Sequence, residues 1–359
     1  AYPMASSGGG TYVWTGRVSK TGAYRLTARY TTNGMAANTW NWYSSGARRD
    51  HAIVASPTKV HEMTMFELNT LTVEATYNSQ DGRSTFQDLL SAAQGDTDGF
   101  DPFNLEYLNF IQANCLWFQP IHPNRGARGD SYTPGSPYAT KDYFAVTPAM
   151  GTYYNEDSAM NEFTNFVAQA DAYTGSVGTI NVMLDGVFNH TAWDAEMGQG
   201  AVDLGLCASA DASMGSTKPF WYSLITDYGL PATYYNSAYD NDFATAPDRG
   251  DFGKWDDVTE LYFGRYAALV RHNPDNNGDY LNEGDWFDAS SYTTNLLAMW
   301  RLFGYYPEYW IKKTGHAGTN SWVLAQDNKG IDGLRCDFGQ GLPPQLWEYI
   351  INRTRSKKC

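Results

Sequence analysis

Two short segments hold the side chains whose types and spacing could do chemistry: residues 185–190, reading DGVFNH, and residues 333–337, reading GLRCD. Asp185, Asn189 and His190 bring together an anion, an amide and an imidazole, and Arg335 stands two positions before Asp337. Side chains two apart on a strand share a face, so Arg335 and Asp337 point together while Leu334 and Cys336 point the other way. An arginine beside a carboxylate favours the ionised form, and an ionised aspartate on a rigid strand is suited to nucleophilic attack on carbon. Asp337 is the candidate nucleophile on these grounds. Each segment also has a plainer structural reading, RxD as a buried ion pair and DGVFNH as a capped strand end with a satisfied histidine. The tripeptide Asn189-His190-Thr191 matches a glycosylation acceptor, against which a position inside a site argues.

What favours chemistry is that both segments end apolar runs. A buried parallel strand packs its run between layers and presents its last residues at the catalytic rim of a barrel. From Val60 onward strands alternate with helices, which argues for parallel βα units. Residues 60–68 read as a first strand. Leu105, Leu108 and Ile111 form a helical stripe within 102–114, and 115–121 read as a second strand stopped by Pro120 and Pro123. Asp157 is expected to cap a helix with Met160, Phe163, Val167 and Ala170 on one stripe, followed by a third strand over 179–187.

Residues 191–290 lose this rhythm and turn rich in Gly, Asp, Asn and Tyr, too long for a loop, so an inserted subdomain is expected. Residues 293–303 return to helix, with Pro307 opening another. A fourth strand over 331–338 precedes a helix over 345–352, whose first turn accommodates Pro343. At the other end, 11–16, 23–30 and 39–43 alternate as antiparallel strands. That module is shorter than the roughly 100 residues of a usual sandwich, so it is partial or leans on its neighbour.

The expected fold class is α/β, the first half of a TIM (β/α)8 barrel preceded by a partial β-sandwich-like ancillary domain. Its divisions are the ancillary domain over 1–58, barrel strands 1 to 3 over 59–190, the insertion over 191–290, and a helix, the fourth strand and its helix over 291–359. Half a barrel leaves two open sheet edges, so the second half is expected beyond Cys359.

Composition narrows the class of partner. The chain has 359 residues, 42% hydrophobic and 15% aromatic, which excludes a disordered chain, and no run approaches the roughly 18 apolar residues of a membrane span. A net charge of -14 would repel phosphate backbones, so nucleic acid is not an expected partner. Abundant Trp and Tyr suit sugar rings only weakly as a signal, since most will fill the core. The four cysteines show no CxxC spacing, and Cys115 and Cys336, inside apolar runs, are expected to be buried thiols. A start at Ala1-Tyr2 without Met fits a processed chain, and a secreted or otherwise extracytoplasmic location is expected.

In this order DGVFNH and GLRCD resemble the first two signature regions of the α-amylase family of glycoside hydrolases. Residues 115–123, CLWFQPIHP, are similar to the family's second strand, and residues 137–152, PYATKDYFAVTPAMGT, to the segment that follows it. The likeness runs over residues 60–359. It implies that Asp337 is the catalytic nucleophile, with Arg335 keeping it ionised and in place. Asp185 and His190 would surround the sugar at the cleavage point, and Tyr138 would stack on that sugar. Asn189 matches an asparagine that helps hold a structural calcium, and the stretch after DGVFNH corresponds to the family's domain B.

The resemblance has departures. Gln340 and Gly341 stand where the family often has Lys and His, Pro137 replaces a frequent Gly, and Ala139 a frequent Asp or His. The family's general acid, a glutamate ending the fifth strand, has no counterpart here. A retaining hydrolase needs two carboxyl groups about 5 to 5.5 Å apart, and Glu348, the sole acid after Asp337, falls in a helix. Asp275, Asn277 and Asp279 have the spacing of a calcium loop, with Tyr280 at the glycine position and Trp286 at the bidentate glutamate, and read instead as a solvated acidic loop.

The leading expectation is a retaining hydrolase of α-1,4-linked glucans such as starch and maltodextrins, active only with the remainder of its barrel. Alternatives are an α-glucan transglycosylase of the same chemistry and a non-catalytic glycan-binding fragment.

Overall fold

The computed structural model of the chain describes residues 2–32, 40–43, 51–76, 82–95, 102–126, 135–218, 221, 257–263, 283–286, 294–315 and 329–357. The amino-terminal residues form three antiparallel two-stranded ladders. A hairpin joins β1 (Ala5–Gly8) to β2 (Thr11–Val13), and its turn runs through Gly8, Gly9 and Gly10 at φ of 91°, 60° and 80°. Three successive left-handed residues are a conformation open to glycine and costly to other side chains. β3 (Gly22–Leu26), β4 (Arg29–Tyr30), β5 (Asn41–Trp42) and β6 (His51–Ala55) follow, pairing β3 with β6 and β4 with β5. The expected strand over 11–16 is therefore shorter, and that over 23–30 is broken in two. Residue 39 lies outside the described residues.

The β3–β6 ladder leans on its neighbour, the helix near the other end of the chain. Arg25 donates twice to Glu348, at 2.6 and 2.9 Å, and the Ala23 N–H donates to Asn352 Oδ1 at 3.2 Å.

Four parallel strands form the central sheet, and the elements alternate as the βα pattern requires. In chain order they are β7 (Met65–Leu68), α1 (Leu105–Phe110), β8 (Cys115–Phe118), α2 (Glu156–Ala172) and β9 (Asn181–Val187). After these come β10 (His190–Ala192), α3 (Gly198–Asp203), α4 (Met214–Thr217), β11 (Val258–Glu260), α5 (Thr294–Thr314), β12 (Gly333–Asp337) and α6 (Pro344–Arg355). The sheet order is β12-β9-β8-β7, so each strand lies beside the preceding one of the series. Register places Arg335 beside Asp185 and Trp117 beside Met183.

Local chemistry explains where the elements differ from expectation. Residues 58–62 make a short 3-10 helix rather than the start of the first strand, after Pro57 sets an extended φ. Asn155, not Asp157, caps α2: its side chain accepts from the Ser158 N–H, and Asp157 sits with Glu156 in the first turn, where negative charge suits the helix dipole. Pro307 lies inside a single helix, α5, instead of opening a second one. Ring contacts from Phe303, Tyr306, Tyr309 and Trp310 to Tyr143, Phe188, Phe144 and Phe163 run along its length. That packing outweighs the loss of one backbone hydrogen bond. Pro343 precedes α6, and Pro344 is its first residue.

The core lies between the sheet and these helices. Phe86, Phe118, Phe163 and Phe166 meet there at tilted and edge-on angles, all fully buried. Cys115 is buried as expected, but Cys336 is exposed. β12 is an outer strand of the sheet among the described residues, which leaves the residue partly uncovered, while burial still pushes its thiol up to about 12. Of the stretch 191–290, the described residues include α3, α4 and β11, the last pairing antiparallel with β10. The acidic loop of Asp275, Asn277 and Asp279 lies outside the described residues.

Candidate active site

The carboxyl ends of β9 and β12 converge as strand alternation dictates. Arg335 Nη1 donates to both oxygens of Asp185, at 3.1 and 3.0 Å, and to Asp337 Oδ1 at 2.6 Å. One nitrogen thus bridges two carboxylates on neighbouring strands. Asp185 is almost entirely buried, and burial pushes its carboxyl up to about 6, with Arg335 opposing that rise. Burial by itself would lower the Arg335 pKa, but Asp185 and Asp337 together outweigh it and hold the guanidinium charge more firmly, so the net shift is upward.

Two aromatic rings flank the guanidinium. The Trp117 ring lies 4.8 Å from it and the Tyr138 ring 5.9 Å, both within cation–π range. Burial lifts the Tyr138 hydroxyl to about 12, so it stays protonated across the working range of pH. Trp117 also donates its indole N–H to Asp185 Oδ2 at 3.1 Å. Sequence reasoning missed this residue, because an indole inside an apolar run reads as core. The available signal was alternation: Leu116 and Phe118 are buried, which leaves Trp117 for the opposite face.

The His190 ring joins the same cluster by meeting the backbone of Tyr138. Its Nε2 faces the Tyr138 carbonyl at 3.0 Å and its Nδ1 faces Asn189 Oδ1 at 2.9 Å. Burial lowers the imidazole to about 4, so the ring is neutral at pH 7 and carries one N–H for two oxygens. Tyr143 anchors the segment by donating to the His190 carbonyl at 2.7 Å. The structure therefore brings Asp185, Arg335, Asp337 and Tyr138 into direct contact and ties His190 and Asn189 to them through Tyr138 and, at 3.4 Å, the Phe338 carbonyl.

On the inner face of the sheet, Glu67 and Asn69 both hydrogen-bond Gln119, at 2.9 Å each. These groups make the wall beside Trp117 polar. A cation was expected at Asn189, and both ends of its amide already have partners. Among the described residues no three His, Cys, Asp or Glu side chains gather to hold a metal ion. One orphaned group is compatible with an ion nearby: Glu260, opposite His190 in the β10–β11 ladder, is buried with Oε2 lacking a hydrogen-bond partner among the described residues.

No protein-family model matches the chain. Over 108 residues it is 32% identical to the alpha-amylase SusG of Bacteroides thetaiotaomicron, a match covering 29% of this chain and 13% of that one. Solved structures similar to the chain include two alpha-amylases. A maltogenic alpha-amylase, AmyB, from Thermotoga neapolitana aligns with a TM-score of 0.40 at 17% identity, over 82% of this chain and 43% of its own. The alpha-amylase of Geobacillus thermoleovorans, in complex with acarbose, gives 0.40 at 15%, over 83% and 44%. The chain therefore spans less than half the length of these relatives.

Proposed function

We propose that this chain carries the first half of the catalytic barrel of a retaining glycoside hydrolase acting on α-1,4-linked glucans. The observation that carries the reading is Arg335 bridging Asp185 and Asp337 at the carboxyl ends of two neighbouring parallel strands. In the proposed reaction Asp337 attacks the anomeric carbon, a glycosyl ester forms as the leaving oxygen departs, and water then releases the sugar. Arg335 holds the attacking carboxylate against β9. Tyr138, with its ring beside Arg335, offers an aromatic face to the same sugar, and His190 holds the Tyr138 backbone in place. The proton for the leaving oxygen is assigned to a glutamate of the barrel's second half, outside these residues. Polymeric glucan as substrate fits an extracytoplasmic location.

The 32% identity over 108 residues to an amylase supports the substrate class. In the protein expressed from its complete reading frame, Asp337→Asn is expected to lower kcat on maltooligosaccharides by on the order of 10⁴-fold or more, the scale seen when a covalent catalytic residue is removed. Binding of the same sugars persists. Undiminished turnover by that variant would contradict the assignment. A structural calcium with Glu260 and Asn189 Oδ1 among its ligands is part of the same proposal, the single N–H of the neutral His190 ring then lying on Nε2 toward the Tyr138 carbonyl rather than on Nδ1 toward Asn189. It supplies a positive charge to the orphaned carboxylate and no step of the reaction. Chelation should then lower the melting temperature and added calcium restore it, whereas identical melting curves would remove the ion.

A further inference from the structure

Trp117 has two separate contacts with the charged cluster, and they come from different parts of its side chain. The indole N–H donates to Asp185 Oδ2 at 3.1 Å, and the ring face lies 4.8 Å from the Arg335 guanidinium. Parallel register sets Trp117 beside Met183 and Gly333, one layer below Asp185 and Arg335. Glycine at 333 puts no side chain into that layer, and Met183 leans across it, its atoms 3.4 Å from where a Cβ would stand. The indole therefore rises from the layer beneath and meets the ion pair from below.

We infer that Trp117 is a positioning residue: its N–H orients Asp185, its ring seats Arg335, and the two together aim Arg335 Nη1 at Asp337. The geometry of that nitrogen explains why both contacts matter. It serves three carboxylate oxygens at once, so a rotation of Asp185 or a sideways shift of the guanidinium breaks the bond to Asp337. Phenylalanine keeps the ring and loses the donor, and leucine loses both. The groups around Asp185 are Arg335 and Asp337 from β12, Tyr306 from α5, whose hydroxyl oxygen lies 3.4 Å from the Asp185 carbonyl, and Tyr138 from the loop between β8 and α2. Trp117 supplies the neutral donor among them, and a hydrogen bond to the ionised form favours that form.

This inference rests on the proposed hydrolase reading, and the test separates the two. In the protein expressed from its complete reading frame, kcat and KM on maltooligosaccharides are measured against pH for wild type, Trp117→Phe and Trp117→Leu. Trp117→Phe is expected to lose about 10-fold in kcat and Trp117→Leu about 100-fold, the scale of a misplaced reacting group, with KM within about two-fold. In Trp117→Phe the acid limb of the kcat profile moves to higher pH, because the ionised Asp185 has lost a donor. A Trp117→Phe enzyme with wild-type kcat and an unmoved acid limb overturns the inference, as does a loss confined to KM. If the wild-type protein fails to turn over glucans, the hydrolase reading has failed, and the positioning is read from the ¹⁵N–¹H resonance of the Trp117 indole. That resonance should titrate in wild type and stop titrating in Asp185→Asn; an indole resonance indifferent to Asp185 overturns the inference on its own.

Discussion

At the scale of single residues, the site is built by burying groups that would rather be in water and giving each a fixed partner. His190 and His122 show this most clearly. The His122 Nδ1 faces the Ala145 carbonyl at 3.0 Å and its Nε2 faces the Tyr306 hydroxyl at 2.7 Å, a pairing that a neutral ring satisfies with its N–H on Nδ1. Burial lowers both imidazoles from 6.5 to about 4. Between those values the unfolded chain binds more protons than the folded one, so each histidine contributes stability above pH 6.5 that is lost as pH falls toward 4. Asp185 works in the opposite sense: raised from 3.8 to about 6, it favours the fold below 3.8 and costs stability as pH rises through 6. NMR titration should find both imidazoles changing charge near pH 4, and midpoints near 6.5 would show that they are solvated. The inward pair Arg335 and Asp337 was legible from their spacing alone. Trp117 and Glu260 were not, because an indole in an apolar run and an acid in a polar stretch each have a commonplace alternative.

At the scale of elements, the βα series was legible because buried strands and amphipathic helices leave different periods in the chain. Boundaries were less so. α5 passes through Pro307 because the aromatic side chains on either side of it, from Phe303 to Trp310, are packed against the sheet side of the core, a tertiary fact that local propensity opposes. α5 also meets α6 at Gly304, where a Cβ would run into the Tyr349 ring. Overpacking costs about 1–3 kcal/mol, against about 1 kcal/mol that alanine gains over glycine inside a helix. Gly304→Ala is accordingly expected to destabilise the fold by about 1 kcal/mol in urea denaturation; a stabilised variant would mean that the two helices are not closely packed there.

At the scale of the whole molecule, the β3–β6 ladder packs on α6. Arg25 of the amino-terminal ladder clasps Glu348 on α6, so residues that read as a separate module rest on the helix that follows β12. That contact joins residues more than three hundred positions apart and left no local trace in the sequence. The sheet, by contrast, continues the pattern read from the sequence, with β7 and β12 as its outer strands among the described residues. Open edges of this kind accept further strands, which is the architecture the proposed hydrolase needs to bring an acid opposite Asp337. The most direct test is covalent trapping. A fluorinated α-glucosyl fluoride, whose leaving group needs no proton and whose ester hydrolyses slowly, is incubated with the protein expressed from its complete reading frame and digested with trypsin. The account predicts one added sugar on peptide 336–353 at Asp337; a protein that turns over glucans with that peptide unlabelled, or labelled elsewhere, would contradict it.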